Sequence, residues 1–375
     1  MVWEGLLKMR RVFALVLFLA SAGSLLAQPL QPKQGKALMD LTHQMIETHH
    51  IPGASVGVVT NGTITTWADG LADVENRSAA SPLTLYRLAS VSKPISAVAA
   101  MTLVEQHRLD LDAPIQKYCP AFPEKQKPIT TRELLSHTSG VRHYRDDEMS
   151  SAWTENTKHY DRPSEAFEMF ASDPLKFDPG TKFGYSTYGY TVLGCVIEGA
   201  SGEKFMDYLQ KSVLAPAKMT HTLQDNLLTI IPNRTRYYDT EKDGTVINAG
   251  YMDSSYKLPG GGLISDVTDM SEFMIAMMQH TIVSQSTVDL MWTPVKTSDG
   301  KTSGYGLGFG TGDLHGWKTI SHTGGQKGTS TIIYMVPEKQ FGVVILTNLE
   351  GQGDALRETA AKIADEVLSA TPKAQ

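Results

Sequence analysis

The strand-like segments of this chain lie near its two ends, and the long middle has mostly helical patterns. Near the N-terminus, Ala54–Thr60 and Thr63–Ala68 are joined by Asn61-Gly62, a dipeptide typical of a tight hairpin turn. Further strand-like runs occur towards the C-terminus, at Gly304–Gly310, Thr319–His322, Thr329–Val336 and Gly342–Thr347. This order predicts an α+β fold in which both ends contribute to one sheet, helices pack on it, and a helical region is inserted.

Helical periodicity recurs between and beyond these strands. In residues 34–50, for example, Leu38, Leu41 and Met45 fall on one face. The other predicted helices cover residues 90–107, 130–137, 164–171, 187–200, 204–212, 266–280 and 353–369. We find no internal repeat and no linker long enough to separate two domains, so residues 28–375 are interpreted as a single domain.

Composition and charge exclude several classes of function. The chain has 375 residues, 41% hydrophobic and 20% charged, with a net charge of -6. Nucleic acid is a poor partner for such a surface, because it binds basic patches. Beyond the N-terminus no run is apolar over the ~18 residues that a membrane span needs.

The N-terminus has the pattern of an export signal. Lys8, Arg10 and Arg11 precede a short apolar core at Val12–Ala20, and small residues follow. We expect residues 1–27 to be a signal peptide cleaved after residue 22 or 27, with an uncleaved anchor as the alternative. The expected location is therefore secreted, in the bacterial periplasm.

The chain has two cysteines, Cys119 and Cys195. Cys195 lies in an apolar run, and we interpret it as a small buried hydrophobic residue in preference to a disulfide partner. An oxidising compartment would allow the two to pair, which depends on geometry that sequence does not give.

The first motif that carries chemistry is Ser90-Val91-Ser92-Lys93. Three residues are nearly one helical turn, so Ser90 and Lys93 share a face. A serine hydroxyl needs a base to become a strong nucleophile, and a lysine whose pKa is lowered by burial can serve. The competing interpretation is a helix cap followed by a solvated lysine.

Two further segments carry residues suited to the same reaction. Tyr185 in Tyr185-Ser186-Thr187 can relay a proton if nearby cations lower its pKa, or it is an ordinary packing residue. In His322-Thr323-Gly324-Gly325, the glycines would let a substrate lie against a strand, and the Gly325 N–H could stabilise an oxyanion together with that of Ser90. The alternative is a turn with an uninvolved histidine.

Other candidates are weaker. Ser55 lies in a G-x-S-x-G pattern, but it begins a strand rather than the strand–turn–helix that this motif requires. His137 is interpreted as structural. The run Pro259–Gly262 either approaches a ligand or makes a tight turn. No metal-site, P-loop or dinucleotide fingerprint is present, so we expect no metal and no cofactor.

Together, the three motifs resemble those of the serine β-lactamase and penicillin-binding-protein superfamily. They are most similar to the branch with a tyrosine in the second motif, which holds class C β-lactamases, D-Ala-D-Ala carboxypeptidases and related esterases, and within it to the mitochondrial serine β-lactamase-like proteins. Residues 36–350 carry the resemblance, in supporting segments at residues 130–140, 179–189, 233–238, 254–262 and 321–330.

The resemblance implies a β-lactamase/transpeptidase-like fold: an antiparallel sheet with helices on both faces and a helical subdomain at about 110–265. It implies catalytic roles for Ser90, Lys93 and Tyr185. The implied substrate-binding and oxyanion residues are Thr187, His322, Gly324 and Gly325.

Two positions depart from the pattern of that branch. Thr187 stands where many members have asparagine, and His322 where many β-lactamases have lysine. A hydroxyl replaces an amide donor, and a neutral imidazole replaces a permanent cation. Both changes favour a peptidase or esterase over an efficient β-lactamase.

The sequence therefore predicts a serine hydrolase that forms an acyl-enzyme at Ser90 with a small-molecule or peptide substrate. The carbonyl would belong to a peptide, ester or amide, including D-amino acid derivatives and β-lactams. The alternative is a penicillin-binding or self-assembling scaffold protein with little turnover.

Overall fold

A seven-stranded antiparallel sheet organises the chain, in the order β3-β2-β1-β12-β11-β10-β9. The computed structural model describes residues 32–145, 148 and 157–369. The strands of this sheet are β1 Gly53–Thr60, β2 Thr63–Asp73, β3 Ser78–Ala79, β9 Gly310–Leu314, β10 Trp317–Gln326, β11 Thr329–Val336 and β12 Phe341–Thr347. Two small sheets contain β4 Tyr86–Arg87, β5 Leu223–Gln224, β6 Tyr238–Thr240, β7 Val246–Asn248 and β8 Leu263–Ser265.

The two ends of the chain meet in the centre of the large sheet. Strand β1 pairs antiparallel with β12, with Ala54 opposite Thr347. The hairpin between β1 and β2 turns at Asn61 and Gly62, whose φ angles of 49° and 79° suit a two-residue hairpin turn. The predicted hairpin and the predicted sheet from both termini are confirmed.

Helices cover both faces of the large sheet, α1 and α9 on one face and α7 on the other. The α-helices are α1 Pro32–His49, α2 Ser92–Glu105, α3 Thr131–Leu135, α4 Thr187–Ser201, α5 Phe205–Leu209, α6 Leu258–Gly261, α7 Val267–Met278, α8 Gln285–Met291 and α9 Gly353–Ser369. Along β12, Val343 and Ile345 face the core shared with α1 and α9, whereas Val344 and Leu346 face the core shared with α7. This alternation follows from the two-residue period of a strand, and the α+β fold class is confirmed.

One predicted strand is wrong. Residues 304–309 form no strand, and β9 begins only at Gly310, the last residue of the predicted run. Gly304 and Gly308 have φ angles of 68° and 90°, in the left-handed region that breaks an extended chain. The apolar residues of this segment, Leu307 and Phe309, are buried without strand pairing.

The preferred interpretation of the cysteines is also wrong. Cys119 and Cys195 form a disulfide, with their Cα atoms 5.5 Å apart. Cys195 is buried in α4, as predicted, but its sulfur is bonded to that of Cys119 in a neighbouring turn. The two cysteines are 76 positions apart and gave no local signal, because only the packing of distant segments brings them together.

The predicted signal peptide at residues 1–27 lies outside the described residues, and the domain boundaries stay predictions. In the part of the chain that the structure describes, no helix combines the length and the apolar character that crossing a bilayer requires.

Candidate active site

Ser90 lies in a 3₁₀ turn, Ala89–Val91, immediately before α2. Ala89 has a φ angle of 47°, which is unusual for a residue with a Cβ atom. Such conformations cost about 1–3 kcal/mol and cluster at functional sites. The turn brings Ser90 to the start of the helix and over the side chain of Lys93.

Lys93 is completely buried, and its amine contacts Ser90 directly. Its Nζ lies 3.0 Å from Ser90 Oγ, 3.0 Å from Thr187 Oγ1 and 2.7 Å from the carbonyl oxygen of Gly260. Burial lowers the pKa of Lys93 well below its usual value, and the nearby charge of Lys257 lowers it further. No carboxylate neutralises Lys93 in these contacts. The amine is therefore suited to be a neutral base.

The three partners of the neutral Lys93 amine determine the direction of each hydrogen bond. The Gly260 carbonyl can only accept, so Lys93 donates to it, and the second N–H can go to Thr187. The lone pair of Nζ then remains to accept the Ser90 hydroxyl proton. This is the geometry that activation of Ser90 requires.

The run Pro259–Gly262 lies beside this site, through the contact of the Gly260 carbonyl with Lys93, and its approach to a ligand stays a prediction. It lies in the short helix α6 and at its end, and α6 packs on α2. Ser96 Oγ donates to the Pro259 carbonyl, 2.6 Å away. A Cβ atom at Gly260 would lie 2.9 Å from Thr187 Cγ2, so the glycine permits this close packing.

Tyr185 lies in the loop before α4, and its hydroxyl interacts with Ser90 and Thr187. Burial raises the pKa of Tyr185 above its usual value near 10, although these two hydrogen bonds oppose the shift. The phenol is therefore neutral in the free protein. The lowering by nearby cations that a tyrosinate base would need is not found.

Two neutral histidines surround the Tyr185 ring. The ring of His137 lies 4.2 Å from it and that of His143 5.5 Å, between centroids. Their Nδ1 atoms accept hydrogen bonds from the backbone N–H of Ser186 and Thr187, respectively. Burial lowers the pKa of His143 to about 4 and that of His137 well below its usual value. The two imidazoles position this loop.

His322 is buried, and both of its ring nitrogens form hydrogen bonds with other groups of the protein. Nδ1 lies 2.7 Å from the Thr323 carbonyl and Nε2 lies 2.9 Å from the Tyr305 hydroxyl. Nδ1 therefore carries the proton, and Nε2 accepts. Burial lowers the pKa of His322 to about 3. The imidazole is neutral and has no N–H left for a substrate.

An exposed cation on α9, Arg357, lies beside this part of β10. Arg357 Nη2 donates to Thr323 Oγ1 over 3.1 Å, while Nη1 pairs with Asp354 over 2.7 Å. The guanidinium is more than half exposed. Sequence analysis missed Arg357, Lys257 and His143, because none lies in a recognisable spacing and only the tertiary structure brings them to the site.

Gly324 and Gly325 lie where β10 passes the Ser90 turn. A Cβ atom at Gly324 would lie 2.4 Å from the Leu88 carbonyl oxygen and 3.0 Å from Ser90 N, whereas one at Gly325 would meet nothing within 4 Å. Strand β9 pairs with β10 only as far as Ser321. Within the described chain, the following residues of β10 thus have no strand partner on that edge, which suits a bound substrate backbone.

Ser55 has no such environment. It is buried in β1, its hydroxyl donates to the Ser81 carbonyl, and Tyr86 lies 3.1 Å away. None of these groups is a base, so the structure gives Ser55 no means of activation.

A family model described as Beta-lactamase matches residues 38–368. The chain belongs to the beta-lactamase family. The resemblance inferred from the motifs is thereby confirmed.

Curated relatives and solved structures agree with this family. The chain is 31% identical to the mitochondrial serine beta-lactamase-like protein of Mus musculus, over 87% of this chain and 79% of the relative. It is 25% identical to penicillin-binding protein 4* of Bacillus subtilis (strain 168), over 92% of this chain and 78% of that relative. The octameric penicillin-binding protein homologue from Pyrococcus abyssi superposes with a TM-score of 0.78 at 25% identity. The match covers 90% of this chain and 78% of the homologue. Membership in this family indicates that the chain is a serine hydrolase.

Proposed function

We propose that this chain is a serine hydrolase that forms an acyl-enzyme at Ser90 on peptide, ester or amide carbonyls. The observation that carries the proposal is the contact of the buried, carboxylate-free Lys93 amine with Ser90 Oγ, 3.0 Å apart. Burial favours the neutral form of a lysine so placed, and the neutral amine can take the serine proton. As a structural element alone, a buried lysine would be costly.

In acylation, Ser90 Oγ attacks the carbonyl carbon as its proton passes to Lys93 Nζ. The carbonyl π electrons move to oxygen, and the backbone N–H groups of Ser90 and Gly325 stabilise this oxyanion. Each such donor is worth about 2.7–4 kcal/mol in comparable sites. When the tetrahedral intermediate collapses, the bond to the leaving group breaks. Tyr185 gives that group a proton and recovers one from Lys93 through the shared hydroxyl network.

In deacylation, water attacks the ester carbon of the acyl-Ser90 intermediate. Its proton passes to the Tyr185–Lys93 pair, and the Ser90 Oγ–carbon bond breaks. Ser90 recovers its proton and the acid product leaves. Turnover depends on this half of the reaction, so slow deacylation would give the penicillin-binding alternative on the same residues.

The preferred substrates carry a carboxylate beside the scissile bond. Arg357, held on Thr323, is the exposed cation next to the Gly324–Gly325 segment, and a guanidinium binds carboxylates well. A peptide or D-amino acid derivative with a free C-terminus fits this placement. The neutral His322 makes efficient β-lactam hydrolysis less favoured.

A comparison of acid and amide substrates tests that preference. For the Arg357→Ala variant we expect KM to rise about tenfold or more for a peptide with a free C-terminus, and little for its C-terminal amide. Lys362→Ala, on the same helix, is the matched control. Equal effects on both peptides would contradict the assignment.

Labelling of the nucleophile tests the proposed function itself. The full chain is exposed to a fluorophosphonate, and the adduct is mapped by peptide mass spectrometry in wild type and Ser90→Ala. We expect an adduct on the Ser90 peptide that the variant lacks. Absence of an adduct, or its presence on Ser55, would reject the nucleophile.

Export to an oxidising compartment forms part of this proposal. The Cys119–Cys195 bond is typical of such a compartment, and the signal-like residues 1–27 would provide the route. Sequencing the N-terminus of the expressed protein tests it, since cleavage after residue 22 or 27 is expected.

Self-association is the second proposal, and the octameric homologue favours it. Light scattering coupled to size-exclusion chromatography measures the assembly of the full chain. A monomer at all concentrations would reject the scaffold alternative.

A further inference from the structure

A cluster of three potential metal ligands lies at the start of α7, away from the Ser90 motifs. It consists of His221, Asp266 and Asp269, whose ligand atoms lie within 4.8 Å of one another. Both carboxylates are buried, and the imidazole is half exposed. His221 is 45 residues before Asp266 in the sequence, so no spacing motif indicates the cluster.

Asp269 holds the turn that carries His221. Its carboxylate accepts hydrogen bonds from the backbone N–H of Thr220 and His221, at 3.1 and 2.7 Å, and from Thr222 Oγ1 at 2.8 Å. Oδ1 receives only the Thr220 bond, which leaves it a lone pair. These bonds fix the backbone of His221 relative to α7, as the outer partners of a metal site do.

Asp266 has one oxygen without a hydrogen bond. Oδ1 accepts the N–H of Asp269 as the cap of α7, at 2.9 Å. Oδ2 is fully buried and has no hydrogen-bond partner among the described residues. His221 Nδ1 lies 2.8 Å from this oxygen and forms an ion pair with it when the imidazole is protonated, so a neutral imidazole leaves the carboxylate charge without a counter-charge. Burying a carboxylate oxygen without a hydrogen bond destabilises the fold unless a bound cation balances its charge.

The spacing of these atoms partly matches that of ligands that share an ion. Ligands about 2.1 Å from a Zn²⁺ ion lie about 2.8–3.4 Å apart at angles between roughly 85° and tetrahedral. His221 Nδ1 is 2.8 Å from Asp266 Oδ2 and 3.7 Å from Asp269 Oδ1. The ligand atoms lie within 4.8 Å of one another, so reaching the tetrahedral spacing of about 3.4 Å would move the two carboxylates together by up to about 1.4 Å.

We propose that His221, Asp266 and Asp269 form a binding site for a divalent transition metal such as Zn²⁺, with water completing the coordination. One imidazole and two carboxylates form a donor set that such ions accept. His221 and Asp266 also line a cavity of about 300 Å³ that gives the ion an entry path. The site goes beyond serine chemistry and departs from the expectation of no metal.

The metal would join α7 to the turn before β5. Thr222 Oγ1, next to His221, also lies 2.7 Å from Ser265 Oγ in β8, and β8 pairs with β4 shortly before Ser90. The site therefore ties together elements that support the catalytic turn. Its role is structural, because none of its residues contacts Ser90 or Lys93 in the hydrogen bonds of the site.

Titration calorimetry with ZnCl₂ on the chelator-treated full chain tests the proposal. We expect one equivalent to bind, with a Kd at least tenfold weaker in His221→Ala and in Asp266→Asn. Asparagine caps helices as well as aspartate does, so the second variant keeps α7 capped while removing the charge. Thermal unfolding should show stabilisation by Zn²⁺ in wild type that both variants lose.

His315→Ala is the matched control, because His315 makes an exposed pair with Asp365 at 3.0 Å and has no second carboxylate in that pair. Binding like that of wild type is expected. Three results would overturn the proposal: no saturable Zn²⁺ binding to wild type, unchanged binding in His221→Ala, or an equal loss in His315→Ala. Fluorophosphonate labelling of Ser90 is followed separately, so failure of the metal site leaves the hydrolase proposal distinguishable.

Discussion

At the scale of single residues, the environment of Lys93 decides what the site can do. The amine is buried among two hydroxyl groups and a carbonyl, with a second lysine nearby. Because none of these groups carries a negative charge, the protonated form is disfavoured. The buried amine, rather than the tyrosine, is therefore the group best suited to accept the Ser90 proton.

Replacing Lys93 should abolish activation of Ser90. We expect Lys93→Met to reduce the acylation rate by about 10²–10⁴-fold, because the general base is lost. Lys93→Arg should not rescue it, since a guanidinium stays protonated. Stopped-flow acylation with an activated ester measures the rate, and circular dichroism checks the fold. A rate within tenfold of wild type would place the base elsewhere.

The pH dependence of acylation should change when the charge of Lys257 is removed. Acylation requires neutral Lys93, so the rate rises as pH increases through the lowered Lys93 pKa. In Lys257→Met the repulsion disappears and the Lys93 pKa rises. Protonated Lys93 then persists to higher pH, and the acidic limb of kcat/KM moves upward. Exposed Lys318→Met is the control, and a downward or absent shift in Lys257→Met would contradict this coupling.

At the scale of elements, the site depends on how closely β10 passes the Ser90 turn. Only a glycine fits at position 324, whereas position 325 opens to solvent. The local sequence shows two adjacent glycines and does not distinguish them. The approach of β10 to the turn gives them different roles.

Matched alanine substitutions separate the two glycines. Gly324→Ala should destabilise the fold by about 1–3 kcal/mol, because its Cβ would overlap the Leu88 carbonyl and Thr331 Oγ1, and it should slow acylation. Gly325→Ala keeps the backbone N–H and should retain most activity. Urea unfolding and acylation rates measure both. Equal effects in the two variants would argue against the close passage of β10.

At the scale of the whole molecule, one covalent bond crosses the helix-rich middle. The Cys119–Cys195 disulfide connects α4 to a turn 76 residues earlier, and the sequence contains only these two cysteines. Any effect of a reductant on the folded protein therefore reports on this bond alone.

Removing that bond should lower the stability of the whole fold. Cys119→Ala with Cys195→Ala is expected to cost about 2–5 kcal/mol in the free energy of unfolding. Urea denaturation of wild type with and without dithiothreitol provides the comparison. The reductant should change wild type and leave the double variant unaffected. Identical wild-type curves in both conditions would show that the disulfide does not form.

Much of this protein could be predicted from local sequence. Asn61-Gly62 specifies a hairpin because both residues tolerate left-handed backbone angles, and the period of apolar residues indicates α1, α2 and α9. The motifs around Ser90, Tyr185 and His322 were sufficient to identify the family. Each of these signals is contained in a few neighbouring residues.

Tertiary structure alone decided the rest. The partners of Lys93, the occupied nitrogens of His322, the position of Arg357 and the disulfide all join residues distant in sequence. The left-handed glycines at 304 and 308 overrode a strand-like pattern. The physical reason is common to all: burial, charge and backbone clearance depend on which segments pack together, and a local pattern carries no information about its distant neighbours.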